Sequence, residues 1–428
     1  MEPKQNLAVD EINLSDFEFW SLPPAEREGA FKTLREERPM PFFAEPDLGD
    51  ANFLPPGPGY YAVTRHADIL AASRQPEIFS SAQGATSIAD MPTEFLEFFG
   101  SMINLDDPRH TRLRRIVAAG FTPKMLRSVE DSVARSAAQI VEDVRAQGEC
   151  DFVTEVAAKL PLKIICDMMG VPESDYETVF TRSNVILGAG DPEYVPEGAD
   201  IVTALLTAGS ELAGMVKELG AYRRKNPTED LTSALVNASV DGEQLTDDEL
   251  GSFFILLVVA GNETTRNAIS HGLEQLTLHP EQRAIWAADF DKVAPTAVEE
   301  IVRWASPVIF MRRTATRDAE LGGRPVKEGD KFLLFYNSAN RDADVFDDPF
   351  AFDVRRQPND HVGFGGPGPH FCLGAHLARR EITVMYRELF RALPDIEMAG
   401  EPQRLYSSFI NGIKHLPCRF SPSATKAG

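Results

Sequence analysis

The chain has 428 residues, of which 43% are hydrophobic and 25% are charged, values that are ordinary for a globular protein. Its formal net charge of −22 argues against nucleic acid or an anionic membrane as the partner. No run of about 18 apolar residues occurs, so no membrane span is expected. The polar N-terminus lacks the apolar core of a signal peptide. The four widely spaced cysteines argue against a disulfide framework and favour a reducing, cytoplasmic location.

The first hundred residues predict a short tail followed by helices and one strand. Residues 1–14 are expected to form a flexible tail, 15–420 a single domain, and 421–428 a second tail. Tyr60–Val63 is typical of a strand. Met91–Ile103 is rich in Phe and Met, which indicates either a helix with a core face or a mobile apolar lid over an apolar cavity.

A basic helix is predicted to begin near Pro108, a residue that suits a first helical turn. His110 and Arg114 lie four positions apart and therefore share one face. That pair is suited to hold an anionic group from one side. The alternative is a solvated basic face, which such runs of charge usually form.

The longest predicted helix begins at a capping box, Thr246–Glu249, and continues to about Leu278. It would span about 33 residues, or roughly 50 Å. Its apolar middle is followed directly by Glu263 and Thr264. The Thr264 hydroxyl is placed to bond the carbonyl of Ala260, four residues back. A carboxylate and a hydroxyl at this point are suited to relay protons, although an ordinary packing site for threonine is the alternative.

A loop rich in glycine and proline, residues 364–374, contains Cys372 and precedes a helix that starts at Ala375. Thiolate sulfur is the soft ligand that iron accepts. Backbone N–H groups at such a turn would keep the sulfur ionised. Taken alone, a cysteine in a glycine-rich loop is more often a small buried apolar residue.

The spacing of Gly368, His370, Cys372 and Gly374 resembles the haem-ligand loop of the cytochrome P450 family, and the likeness extends over residues 14–420. One departure is that Phe364 lies eight positions before the cysteine, where the family pattern has seven. The resemblance implies the cytochrome P450 fold, which is mainly α with small β-sheets (α+β) and shaped as a triangular prism with a long central helix over the haem. It also implies haem b with an axial Cys372 thiolate, O2, and electrons from a ferredoxin and its reductase.

The resemblance assigns roles to particular residues. Haem contacts are implied for His110, Arg114, Arg313, His370, Cys372, Gly374 and Phe364. Oxygen activation and proton delivery are implied for Ala260, Glu263 and Thr264. A buried structural lock is implied for Glu300, Arg303 and Arg356.

The closer likeness, over 253–272 and 296–318, is to bacterial P450s that hydroxylate the terminal methyl of methyl-branched lipids. It implies omega-hydroxylation of such lipids or of sterol or isoprenoid side chains. The protein is expected to be a monomer. Candidate walls of an apolar funnel are Phe99, Ile103, Leu187, Val259, Val308 and Phe409. Candidate ferredoxin-docking residues are Arg112, Arg115, Arg379 and Arg380. The alternatives are a peroxide-driven haem-thiolate enzyme, a haem-thiolate isomerase, and a haem-based lipid carrier or ligand sensor without turnover.

Overall fold

The computed structural model describes residues 1–46, 57–121, 123–195, 198–239 and 242–422. The helices are α1 (Phe17–Ser21), α2 (Pro24–Glu37), α3 (His66–Ser73), α4 (Thr93–Gly100), α5 (Arg109–Gly120), α6 (Pro123–Val144), α7 (Lys159–Met169), α8 (Tyr176–Leu187), α9 (Ile201–Lys225), α10 (Leu231–Asn237), α11 (Asp247–Leu278), α12 (Pro280–Ala288), α13 (Phe290–Ala305), α14 (Tyr336–Ala339) and α15 (Ala375–Ala392).

The strands are short. They are β1 (Phe42–Phe43), β2 (Tyr60–Val63), β3 (Phe79–Ser80), β4 (Glu149–Asp151), β5 (Phe310–Ala315), β6 (Ala319–Leu321), β7 (Arg324–Val326), β8 (Lys331–Phe335), β9 (Glu397–Met398), β10 (Gln403–Arg404), β11 (Ile413–His415) and β12 (Pro417–Arg419). The largest sheet has the order β1-β2-β8-β5-β3, in which only β2 and β8 are parallel. The predicted mainly α protein with small β-sheets is confirmed.

Helix α11 is the central element. The predicted capping box is present, because the Thr246 hydroxyl accepts from Glu249 N–H at 3.1 Å and Glu249 Oε2 accepts from Thr246 N–H at 2.9 Å. Its 32 residues correspond to about 48 Å. It packs against α4, α7, α8, α9, α13 and α15, so side chains along its length meet most of the helical core. Among the described residues, no helix is both long and apolar enough to cross a membrane.

Residues 1–14, for which the sequence predicts a flexible tail, lie against α2 in the structure. Lys4 N–H donates to the Ala25 carbonyl at 2.8 Å, and the Leu14 carbonyl accepts from the Trp20 indole at 2.9 Å. Ile12 and Leu14 are buried in one apolar cluster with Trp20. The burial of these apolar side chains explains why the segment packs. The other predicted tail, 421–428, lies outside the described residues from position 423 onward.

The predicted structural lock is confirmed. Glu300 accepts hydrogen bonds from Arg303 at 2.7 Å and from Arg356 at 3.1 Å, and Asn359 donates to the same carboxylate at 3.2 Å. Glu300 and Arg303 are fully buried. Burial alone would raise the pKa of Glu300, but the two guanidinium groups outweigh it and hold the pKa below its usual value. The lock joins α13 to the chain that leads into the Cys372 loop.

Candidate active site

The loop that carries Cys372 is held by its own backbone. Cys372 N–H donates to the Phe364 carbonyl at 3.0 Å, and Phe371 N–H donates to the Gly368 carbonyl at 3.1 Å. Gly368 has a φ of +154°, and a Cβ there would overlap the carbonyl oxygen of Ser73. Ser73 is the last residue of α3. The loop, one residue longer than the family pattern, therefore rests on α3 so closely that only glycine fits.

The sulfur of Cys372 lies beside the N-terminus of α15. Burial raises the pKa of the thiol, and hydrogen bonds from the backbone N–H groups of Gly374 and Ala375 oppose that rise, as do the charges of Arg114 and Arg379. Protein surrounds the group on most sides, yet the side chain itself is accessible to solvent. Backbone donors and cations are the surroundings that stabilise a thiolate. The predicted N–H groups aimed at the sulfur are present.

Four basic side chains meet next to this loop. The imidazole rings of His110 and His370 lie 4.3 Å apart, and Arg114 donates to the carbonyl of Phe371 at 2.7 Å. Arg313 is buried, and its guanidinium donates to the carbonyl of Arg312 at 2.7 Å. Burial, followed by the charges of Arg313, His110 and Arg114, lowers the pKa of His370 to about 3. The structure thus brings together residues from α5, β5 and the loop.

The nearest carboxylate that this basic cluster pairs with is that of Asp107, which lies 3.8 Å from His110 Nδ1, too far for a hydrogen bond. His110 is buried, and neither Nδ1 nor Nε2 has a hydrogen-bond partner among the described residues. In the same part of the chain, Arg114 and Arg313 form no ion pair with a carboxylate. Buried donors of this kind normally have partners. Basic donors beside a cysteine sulfur fit haem, because its iron accepts a thiolate ligand and its carboxylates accept hydrogen bonds from basic side chains.

Phe364 lies between the loop and α15. Its ring is half-buried, and the guanidinium of Arg379 stands 4.3 Å from the ring centroid. The same guanidinium forms two hydrogen bonds with Glu299, at 2.5 and 2.9 Å. Phe364 is therefore fixed by a cation–π contact with Arg379 and by the hydrogen bond that its carbonyl accepts from Cys372 N–H.

On α11, the Thr264 hydroxyl donates to the Ala260 carbonyl at 2.7 Å, as predicted. Both residues are at least partly exposed in the middle of the helix. Glu263 is buried, and its Oε1 accepts from Arg266 and, at 3.1 Å, from Asn267. Thr264 and Glu263 therefore face different sides of the helix. The acid is held in an ion pair instead of standing free beside the hydroxyl.

The six predicted wall residues are all half-buried. Val308 pairs with Ile410 in an isolated β-bridge, which places it beside Phe409. Phe99 lies on α4, where a Cβ added at Gly209 of α9 would come within 2.8 Å of its ring. Ile103, Leu187 and Val259 come from the turn after α4, the end of α8 and the middle of α11.

Helix α4, which the sequence indicates as a core helix or a lid, is tied to its neighbours. The Glu97 carboxylate receives two hydrogen bonds from Arg109, at 2.7 and 2.8 Å, and the Glu97 carbonyl accepts from the Ser252 hydroxyl of α11. Phe95 and Phe99 pack with ring centroids 4.6 Å apart. Helix α4 is therefore anchored through Glu97, and the aromatic side chains of Phe95 and Phe99 pack together on it.

Three of the predicted docking residues are engaged with other groups. Arg112 forms ion pairs with Glu243 at 2.9 Å and Glu249 at 2.6 Å. Arg379 binds Glu299, as described above, and Arg115 also has an interaction partner. Arg380 is half-buried, and its Nε has no hydrogen-bond partner in the described part of the chain.

Sequence reasoning missed the residues that hold Glu263. Arg266 is buried, and besides binding Glu263 it donates to Asn184 Oδ1 of α8 at 3.1 Å. The signal was present, because an arginine three positions after a buried acid on the same helix is placed to pair with it. Asn184 is a tertiary partner that no local pattern indicates.

The fold and this site define a class of protein that would bind a haem cofactor through a cysteine sulfur and a basic cluster. The family model described as "Cytochrome P450" matches residues 211–394. A methyl-branched lipid omega-hydroxylase of Mycobacterium tuberculosis is 50% identical over 422 residues, covering 98% of this chain and 97% of that protein. A steroid C26-monooxygenase of Mycolicibacterium smegmatis is 43% identical over 361 residues, covering 83% and 82%.

Solved structures agree with these relatives. A Mycobacterium marinum cytochrome P450 in complex with pseudoionone has a TM-score of 0.90 and 45% identity, covering 96% of this chain and 98% of that one. The chain belongs to the cytochrome P450 family and is a P450 monooxygenase. Family membership implies a haem with a cysteine thiolate ligand and the use of O2. The predicted family and enzyme class are confirmed.

Proposed function

We propose that this P450 hydroxylates the terminal methyl group of a methyl-branched lipid, or of a sterol or isoprenoid side chain. The observation that carries the chemistry is the Cys372 sulfur, with backbone N–H groups on one side and a buried basic cluster beside it. The choice of substrate rests on the relatives, which are named for a methyl-branched lipid and for carbon 26 of a steroid.

Residues 15–420 act as one domain around the cofactor. Cys372 would supply the thiolate ligand, and His110, Arg114, Arg313 and His370 would bind the haem carboxylates. The cluster has the charge and the unpartnered donors for that role. When bound, the haem supplies the activation of O2 and the oxidation of the C–H bond.

Protons reach the reaction through α11. Thr264 Oγ1 is held by the Ala260 carbonyl, so the hydroxyl has a lone pair free to accept from a water or a ligand on its open side. Glu263 takes up protons and releases them toward Thr264. Because its carboxylate is bound by Arg266 and Asn267, each transfer requires this side chain to exchange one of those bonds for one toward Thr264.

The apolar walls decide which carbon reacts. A terminal methyl has a stronger C–H bond than an in-chain carbon, and each 1.36 kcal/mol of barrier corresponds to about tenfold in rate. Geometry must therefore outweigh reactivity. A narrow passage between Phe99 and Ile103 on one side, and Val308 and Phe409 on the other, would admit a chain end-first, and Val259 would meet the branched tip.

Electrons would come from a ferredoxin that docks on the face of Arg112, Arg115, Arg379 and Arg380. Two of these side chains already bind carboxylates of this chain. An acidic carrier would compete with Glu249 and Glu299 for them, which suits a contact that forms and breaks at each electron transfer.

The test uses purified haem-loaded protein with a ferredoxin, its reductase and a nicotinamide cofactor. Substrates are a long iso-branched fatty acid, its straight-chain isomer and a cholestane-type sterol. We expect a long-wavelength carbon monoxide band in the reduced protein, and terminal alcohols from the branched acid or the sterol. In-chain alcohols as main products would contradict the proposed regiochemistry. The same carbon monoxide band in Cys372→Ala would contradict the ligand assignment.

Two alternatives are separated by the same assay. A peroxide-driven enzyme would form product from hydrogen peroxide at least as well as from O2 and ferredoxin. A lipid carrier or sensor would show spectral shifts with the lipids and no product.

A further inference from the structure

Two neighbouring positions on the buried side of α11 carry polar atoms without protein partners. Asn262 is fully buried, and neither its Oδ1 nor its Nδ2 has a hydrogen-bond partner among the described residues. Arg266 is also buried, and its Nε is without a partner in the same part of the chain. Burying a polar atom without a hydrogen bond costs free energy. Three such atoms on these two side chains therefore indicate that a ligand binds here.

The two residues share one face of the helix. Asn262 and Arg266 are four positions apart, which puts them on one face, one turn apart. At the adjacent Gly261, a Cβ would come within 2.8 Å of Ile165 Cδ1 of α7, so the two helices are in close contact there. Asn184 of α8 closes the other side through its bond to Arg266.

The ligand that suits this place is water. An amide oxygen, an amide N–H and a guanidinium N–H supply the mixture of acceptor and donors that a buried water uses, since such waters make about three hydrogen bonds. The close approach of Ile165 of α7 at Gly261 and the bond from Arg266 to Asn184 of α8 leave this place enclosed by helices. The remaining donors of Arg266 are already committed to Glu263 and Asn184.

We propose that Asn262 and Arg266 hold an internal water on the side of α11 opposite Thr264, and that they are positioning residues which supply and orient Glu263. This inference rests on the proposed proton-relay role of Glu263. In each step the Glu263 carboxylate first takes a proton from the water, and the carboxylic acid so formed then releases one proton toward Thr264, which restores the carboxylate. No electron moves, and the water regains its proton from solvent.

Tyr194, in the segment after α8, is a further polar group near this buried pair. This residue is half-buried, and the charges of Arg266 and Glu263 act on its hydroxyl. Burial raises the pKa of Tyr194 to about 12, so it stays a neutral hydroxyl that both donates and accepts.

The experiment compares Asn262→Leu and Arg266→Gln with the control Ser270→Ala. Ser270 is buried one turn further along, and its hydroxyl donates to the Arg266 carbonyl at 2.8 Å. Leucine is close to asparagine in size and leaves no unpaired polar atom, so Asn262→Leu is expected to fold. Measurements on the haem-loaded proteins are the share of electrons recovered as alcohol against hydrogen peroxide, the solvent isotope effect in D2O, and the waters in crystal structures.

We expect an ordered water within hydrogen-bond distance of the Asn262 amide in the wild type and none in Asn262→Leu. Both test variants should lose about tenfold in alcohol formed per electron, show a larger solvent isotope effect, and keep wild-type turnover when hydrogen peroxide replaces O2 and reductant. Ser270→Ala should match the wild type.

A dry Asn262 in the wild-type crystal, or an unchanged isotope effect in Asn262→Leu, would overturn the inference. A wild-type enzyme that forms no terminal alcohol would instead count against the proposed function, and the water count would still report on the buried site.

Discussion

The substitution Glu300→Gln tests the buried structural lock, and the expected loss of stability and fall in Tm can be calculated. The glutamine keeps the shape of the side chain but removes the charge that two buried guanidinium groups share. Breaking such a pair by removing one partner costs about 3–5 kcal/mol. With about 2.1 cal/mol/K of unfolding entropy per residue, a chain of 428 residues has about 0.9 kcal/mol/K, so Tm should fall by about 3–6 °C.

The assay is thermal unfolding of haem-loaded protein, followed in parallel by far-ultraviolet circular dichroism and by the haem absorption band. Asp291→Asn is the matched control on the same helix, α13, because Asp291 pairs with Arg387 while the two side chains are 78% and 46% exposed. That loss should stay below about 1 kcal/mol. The reasoning is refuted if the two variants lose equal stability, or if Glu300→Gln melts with the wild type.

Three further changes have expected outcomes. Burial would raise the pKa of Glu299, but its hydrogen-bonded cationic partners lower it to about 2. This carboxylate therefore stabilises the fold above its unfolded pKa, and the stabilisation is lost as pH falls from about 4.5 toward 2. The unfolding free energy of Glu299→Gln, measured by urea titration, should depend on pH near 4.5 less steeply than that of the wild type, by about 0.7 kcal/mol per pH unit, and equal slopes would contradict this. Gly368→Ala should lower the ratio of haem absorption to protein absorption, whereas Gly214→Ala, where a Cβ meets no atom within 4 Å, should not; full haem content in the first variant would refute the close packing. Val259→Ala or Phe409→Ala should shift products toward in-chain alcohols in chromatography, and an unchanged ratio would exclude these walls.

Features set by local periodicity were predictable. The capping box at Thr246, the hydroxyl of Thr264 on the Ala260 carbonyl, and the pairing of Glu300 with Arg303 all depend on spacings of three or four residues in a helix. Such spacings fix neighbours before any tertiary contact forms.

Features set by distant contacts were not predictable in the same way. The bond from Arg266 to Asn184 joins residues 82 positions apart, and the approach of Gly368 to Ser73 joins a loop to a helix far earlier in the chain. The family pattern indicated that the Cys372 loop is longer by one residue around Pro367, but it did not indicate that Gly368 of this loop packs against Ser73 of α3.

The packing of residues 1–14 has a practical consequence for shortening the protein. Ile12 and Leu14 share one apolar cluster with Phe19, Trp20 and Phe31. A truncated protein that begins at residue 15 would expose those aromatic rings to water. The resulting hydrophobic patch near the new N-terminus would favour aggregation. The smallest well-behaved form of this enzyme therefore starts ahead of Ile12.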